Sequence, residues 1–391
     1  MTAITERFRK NRTLAITLAV LLLLFAMAAQ GMPAQDWVIT TLRGLSVGAL
    51  TFLVAAGLSI MLGLLDVLNF AHGELFMIGA YVGWTVYVRP DTFVDVLTPV
   101  LLIGAGLALI PVWKRVVAGL SLPGTAARAW PWVPLVAAGA VLAFGLARYP
   151  IGIWDLENYT QAPTSFSLAL DTGLLQMPEP AVFEALPPAV GLGGLLLGAV
   201  LLALAVAGFT ARGPETLGNG AGTRRAWVIA GVLAALGSVV FVVNTPVTAF
   251  LFDMGTTWRF LVAMLVAVAT GAVLGALIEV TLIRPLYERP ICQLMLTLGL
   301  SFIGVELVRA IWGRPEFPMP KPALFNGSGP GCPATSIGGW LQNQCSTILV
   351  LGGRVRTYNE IFVILVGALV LIGVSLLLRR TRLGMIIRGG A

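Results

Sequence analysis

The chain is short of charge. Only 11% of its 391 residues are Asp, Glu, Lys or Arg, against about 25% in an average soluble domain. With 58% hydrophobic residues and a mean hydropathy of +0.91, too few polar side chains remain to wet the surface of a globular protein. Histidine is nearly absent, with one copy, and there are three cysteines. That excludes a dense disulfide scaffold and any zinc spacing. It also leaves no nucleophile–base constellation for a membrane-embedded enzyme. Strict apolar–polar alternation is missing too, which argues against a membrane β-barrel.

What is present is long apolar runs, each near the 20 residues a helix needs to cross hydrocarbon. Ten candidate spans follow, at residues 14–32, 38–64, 73–88, 97–113, 131–147, 189–209, 226–244, 258–283, 290–312 and 359–379. The expected fold class is all-α, a polytopic transmembrane helical bundle. The first run has a second reading. Arg7, Arg9, Lys10 and Arg12 precede it, and Ala26-Met27-Ala28 is similar to a signal-peptidase site. On either reading the residues that follow emerge on the outside. The net charge of +7 is then a topology signal and not a nucleic-acid footprint. With a cytoplasmic N-terminus, the inside segments hold 16 of the 25 basic residues. The outside segment 148–188 has one, Arg148, against Asp155, Glu157, Asp171, Glu179 and Glu184. The exception is the outside loop 313–358, with Arg314, Lys321, Arg354 and Arg356. Four regions are expected: 1–37, a basic segment and first span; 38–94, a first core segment; 95–257, inserted helical hairpins with an acidic outer loop; and 258–391, a second core segment with loop 313–358 and a basic tail.

The polar residues left in such a chain carry the information. The stretch DVLNFAHGELFMIGAY at 66–81 puts Asp66, Asn69, His72 and Glu74 within nine residues. It is either a short turn between spans or a break in a membrane helix. Non-helical backbone at depth is tolerated only where protein or a water-filled cavity satisfies it, and ionisable groups there are expensive and mark function. On the second reading Asn69 caps the broken segment, Gly73 supplies a permissive backbone, and His72 and Glu74 form one polar contact on a solute pathway. Glu279 near a span end is followed by Arg284, as a snorkelling ion pair or a contact for a partner subunit. Glu306 and Arg309, three apart, can pair on one helix face. Cys332 and Cys345 share the 313–358 loop, where an oxidising compartment permits a disulfide. Cys292 sits at a span edge as a small apolar residue. No metal site is expected.

Three of these stretches together resemble a known family, the inner-membrane permease subunits of ABC importers for branched-chain amino acids, with relatives that import urea and short amides. The family pattern GLSxxxGLxxVxNFAHGExxMxGAY is matched by GLSIMLGLLDVLNFAHGELFMIGAY at 57–81. EVTLIRPLYERPICQLMLTLGLSFIG at 279–304, PALFNG at 322–327 and RRTRLGMIIRGGA at 379–391 are similar to further family stretches. The likeness covers roughly 40–88 and 258–391; the insertion of about 150 residues between them departs from it. A second departure is the end at Ala391, ahead of the family's C-terminal spans. A truncated, nonfunctional permease or one completed by a second polypeptide is therefore an open reading.

The resemblance implies a transport subunit and not an enzyme, in the bacterial inner membrane, that moves solute by alternating access. This chain would bind no cofactor. ATP and Mg would sit on two cytoplasmic ATPase subunits, with a paralogous second permease and a periplasmic solute-binding protein as further partners. A urea or amide permease and a passive small-solute channel stay open beside the amino-acid reading.

Overall fold

A computed structural model describes residues 12–65, 69–119, 129–149, 186–210, 221–312 and 319–380. Asp66, the acidic stretch of the 148–188 loop, Arg314 and the tail beyond Arg380 lie outside the described residues. The described chain is almost wholly helical. In order come α1 (Arg12–Ala29), α2 (Ala34–Leu65), α3 (His72–Val88), α4 (Pro90–Leu107), α5 (Ile110–Ala118) and α6 (Trp132–Ala147). Then follow α7 (Pro188–Thr210), α8 (Ala221–Val242), α9 (Asn244–Asp253), α10 (Thr256–Ile278) and α11 (Pro290–Trp312). A short α12 (Ile337–Asn343), two strands β1 (Thr347–Val350) and β2 (Gly353–Arg356), and α13 (Val363–Arg380) complete the described chain.

All ten expected segments are helical. Among the described residues seven stretches are long and apolar enough to cross a membrane: Ala34–Leu62, Pro90–Ala118, Pro188–Thr210, Gly222–Val242, Thr256–Leu286, Pro290–Trp312 and Thr357–Arg380. The other three expected spans form α1, α3 and α6, of 18, 17 and 16 residues. Helices dominate because hydrocarbon offers no partner to backbone N–H and C=O groups, so each segment must bond within itself. The expected signal-peptidase stretch Ala26-Met27-Ala28 lies inside α1. Prolines mark the junctions: Pro90 opens α4 where its missing N–H costs nothing, and Pro111 stands in the first turn of α5.

The chain divides into two compact units, residues 1–73, 282–301 and 321–391 in one, and 74–281 and 302–320 in the other. In the second unit α4 is the hub. Leu102, Leu195, Ala199 and Ala203 are fully buried. Leu195, Ala199, Ala203 and Ala207 recur every four residues and so form one stripe of α7. Gly106 lets the α4 and α7 backbones touch, since a Cβ there would stand 2.4 Å from Ala199 Cβ. Small residues at membrane helix interfaces serve this close approach. Gly237 of α8 meets Leu102, and Gly198 of α7 meets Leu142 of α6. Gly79 and Gly83 of α3 lie against Ala267 and Ala263 of α10.

These contacts fix relative directions. α3 and α10 run antiparallel, as Gly79 meets Ala267, Gly83 meets Ala263, and Tyr87 meets Phe260. α4 and α8 are antiparallel through Leu102–Gly237 and Gly104–Leu233, and Asp95–Asn244 continues that direction to the first residue of α9. α3 and α11 are parallel, with Glu74 at Gly304 and Thr85 at Trp312. Each relation is the one that strict in–out alternation of the ten spans demands.

In the first unit α2 and α13 are likewise parallel, meeting at Ala49 and Gly367. A small cap precedes α13. Its strands pair antiparallel from Thr347↔Arg356 to Val350↔Gly353. The two-residue turn, Leu351-Gly352, has φ of 49° and 82°, the left-handed geometry that suits the twist of a hairpin. Ser336 caps α12, accepting the Gly339 N–H at 3.2 Å. Val38 of α2 joins Ala334, Cys345, Ile348 and Val355 in the cap's core.

Candidate functional site

The break between α2 and α3 is built by Asn69. Its side chain is buried, and its Oδ1 accepts the Ala71 N–H at 3.0 Å. Its carbonyl accepts the His72 N–H at 3.4 Å. This local turn supplies partners to backbone donors just where α3 starts, the usual service of an Asn ahead of a helix. His72 is the first residue of α3 and is half-buried. Its imidazole covers Gly57 of α2 so closely that a Cβ there would stand 2.6 Å from Nε2. Gly57 is thus as much part of the motif as His72 is, and the spacing rules alone did not single it out.

Glu74 lies in the first turn of α3, where the helix dipole favours a carboxylate. It belongs to the other unit and packs on α11. A Cβ on Gly304 would stand 3.0 Å from Glu74 Cβ. Residues two apart on a helix point to different sides, and His72 and Glu74 have different neighbours. Gly73 has open space where a Cβ would be and no left-handed φ, so its backbone does not require glycine.

A second polar group, which the sequence reasoning passed over, lies at the junction of α3 and α4. Arg89 is almost fully buried between the helices. Its Nη2 donates to Asp91 Oδ2 at 2.7 Å and its Nε to Oδ1 at 3.0 Å. This paired geometry suits a guanidinium. Nearby in the chain, Asp95 accepts from Asn244 Nδ2 at 2.7 Å. Arg259, also buried, stacks its guanidinium over Tyr87 at 5.9 Å and Phe252 at 5.8 Å. The signal was available: Arg89 and Asp91 flank a proline between two spans, and Arg259 falls inside an apolar run, where a charge is costly unless held.

Glu279 opens a turn of π-helix (Glu279–Ile283) that continues α10, and Arg284 begins a 3₁₀ turn (Arg284–Leu286). Glu306 and Arg309 pair at 2.7 Å with both side chains more than half exposed. Cys332 and Cys345 are joined as a disulfide, with Cα atoms 5.5 Å apart. The cap is tied to α2 by Glu360. Its Oε1 accepts from Arg43 Nε at 3.4 Å, and its Oε2 accepts the Arg356 N–H. Phe325, within the PALFNG stretch, is ringed by Trp340, Tyr358 and Phe362. Among the described residues no three His, Cys, Asp or Glu side chains gather as a metal site would.

These features define a multi-pass helical membrane protein. One curated relative is a high-affinity branched-chain amino acid transport system permease protein, BraD, of Pseudomonas aeruginosa. The identity is 43% over 42 residues, 11% of this chain and 14% of that protein. The chain thus matches about a seventh of that relative's length. No family model matches, and no solved structure matches.

Proposed function

We propose that this chain is a permease subunit of an ATP-driven importer that carries branched-chain amino acids across the bacterial inner membrane, with its N-terminus in the cytoplasm. The observation that carries the reading is the stretch of likeness to a branched-chain amino acid permease, in a chain with seven helices fit to cross a membrane. Two cytoplasmic ATPases, holding ATP and Mg, close and open. A paralogous permease completes the pathway, and a periplasmic binding protein delivers the solute. The chain does no bond chemistry. Its task is a two-state equilibrium biased by partners that bind the states unequally. Glu74 is the pathway group, placed on a helix start whose backbone Asn69 secures. His72 holds that start against α2.

Uptake of labelled leucine, in cells lacking the gene and in cells with it restored, tests the reading. Loss and rescue support it. A fall in urea or amide uptake instead moves the substrate class, and conduction by proteoliposomes holding this chain alone, without ATP, replaces the importer by a channel. Glu74→Gln is expected to lower leucine uptake at least tenfold at unchanged abundance. Normal uptake in that variant removes Glu74 from the pathway.

A further inference from the structure

α11 is built inside out. Ile291 and Met295 are 75% and 70% exposed, while Gln293 between them is 4% exposed and Thr297 is fully buried. Ser301, half-buried, continues the row. Gln293, Thr297 and Ser301 stand four residues apart and so share one stripe. They lie in the part of α11 that belongs to the first unit. At 1.5 Å per residue the stripe is about 12 Å long, in a hydrocarbon core about 30 Å thick. Thr297 provides for itself, its Oγ1 donating to the Leu294 carbonyl at 3.1 Å. Gln293 does not. Its Nε2 is sealed inside the chain and has no hydrogen-bond partner among the described residues.

An unpaired amide is costly in an apolar interior, and such a group calls for an explanation. Lipid tails carry no acceptor for it. A second subunit docked on α11 does not reach it either. Residues two apart lie about 200° round a helix, so lipid and a docked chain meet Ile291 and Met295 on the opposite side. What remains is a molecule that moves through the interior of the protein. Polar groups turned inward on membrane spans mark such paths. We propose that Gln293 lines the solute pathway, its carboxamide donating to a carbonyl or carboxylate oxygen of the solute, and to water between transport events. Thr297 and Ser301 carry the wall further along the span. A neutral amide suits the task, because it holds an oxygen less strongly than a charged donor does and so lets it leave. Amino acids, urea and amides all present that oxygen. The solute, though not the water, rests on the importer reading above.

Cysteine labelling of the full chain in native membrane vesicles tests the pathway without assuming a substrate. In a C292S background, Q293C is expected to react with a charged methanethiosulfonate about tenfold faster than M295C, because a thiol in apolar surroundings does not ionise. Equal rates overturn the proposal. Q293L then separates a solute contact from a structural amide. It is expected to melt at or above the midpoint of the parent, since apolar replacement of an unpaired polar group is neutral or stabilising. It is expected to lower leucine uptake about tenfold at unchanged abundance, the worth of one hydrogen bond to a charged group. A lower midpoint in Q293L overturns the proposal, as does normal uptake. Failure of the unmodified gene to restore leucine uptake counts against the importer reading instead, and the labelling then still decides whether Gln293 faces water.

Discussion

The inserted helices and the motif-bearing helices treat their apolar surface differently. Around α4, α7 carries a stripe with no exposed atoms, Leu195 through Ala207, and glycines draw the backbones together. Along α11, Met295, Phe302 and Ile303 are 70%, 74% and 63% exposed. The polar groups follow suit. At the junction of α3 and α4, on the edge of the inserted region, Arg89 and Asp91 are sealed in and satisfy each other, while Glu306 and Arg309 on α11 stand open. The inserted helices close the inner stripe of α7 on α4 while turning Val133, Val136, Trp227 and Val242 outward. On α11 exposed charges and exposed apolar residues share one helix.

Three substitutions sharpen that contrast. Arg89→Ala leaves Asp91 as an uncompensated buried charge, and breaking such a pair costs about 3–5 kcal/mol. Thermal unfolding of the purified protein in detergent is expected to show a large fall in midpoint. Restoration by the paired apolar change R89M/D91L would confirm that charge, not shape, is responsible, while an unmoved midpoint in Arg89→Ala would mean that the pair is solvated. Gly106→Leu forces α4 from α7 and is expected to cost about 1–3 kcal/mol by overpacking, seen as earlier proteolysis of the inserted helices. Resistance equal to the parent would show that the two helices are not in close contact. Glu306→Gln removes an exposed pair worth about 0–1 kcal/mol and is expected to leave the midpoint within error. A loss as large as that of Arg89→Ala would erase the distinction between the regions.

The two polar groups were not equally legible. Asn69 and His72 announce themselves because, with Asp66 and Glu74, they are the only acidic, basic or amide side chains in the run 45–88, and their local roles follow from turn chemistry a few residues long. Glu74 could be seen but its neighbour could not, because Gly304 lies 230 residues away in the chain. Gly57 opened the resembling stretch 57–81, but the reason for a glycine there showed only when His72 lay over it. The strands in the 313–358 loop escaped notice because four residues of Thr-Ile-Leu-Val carry too short a pattern to separate from a loop.

The apolar runs along the sequence determined that this is a chain of membrane-crossing helices and roughly where each begins, since a bilayer leaves the backbone no other way to satisfy itself. Span order then dictated which helices run in which direction. Which helices touch and which charges close on each other were decided by tertiary structure. Those outcomes depend on small residues meeting across long sequence separations, and nothing in the local pattern distinguishes a glycine that meets another helix from one that meets lipid.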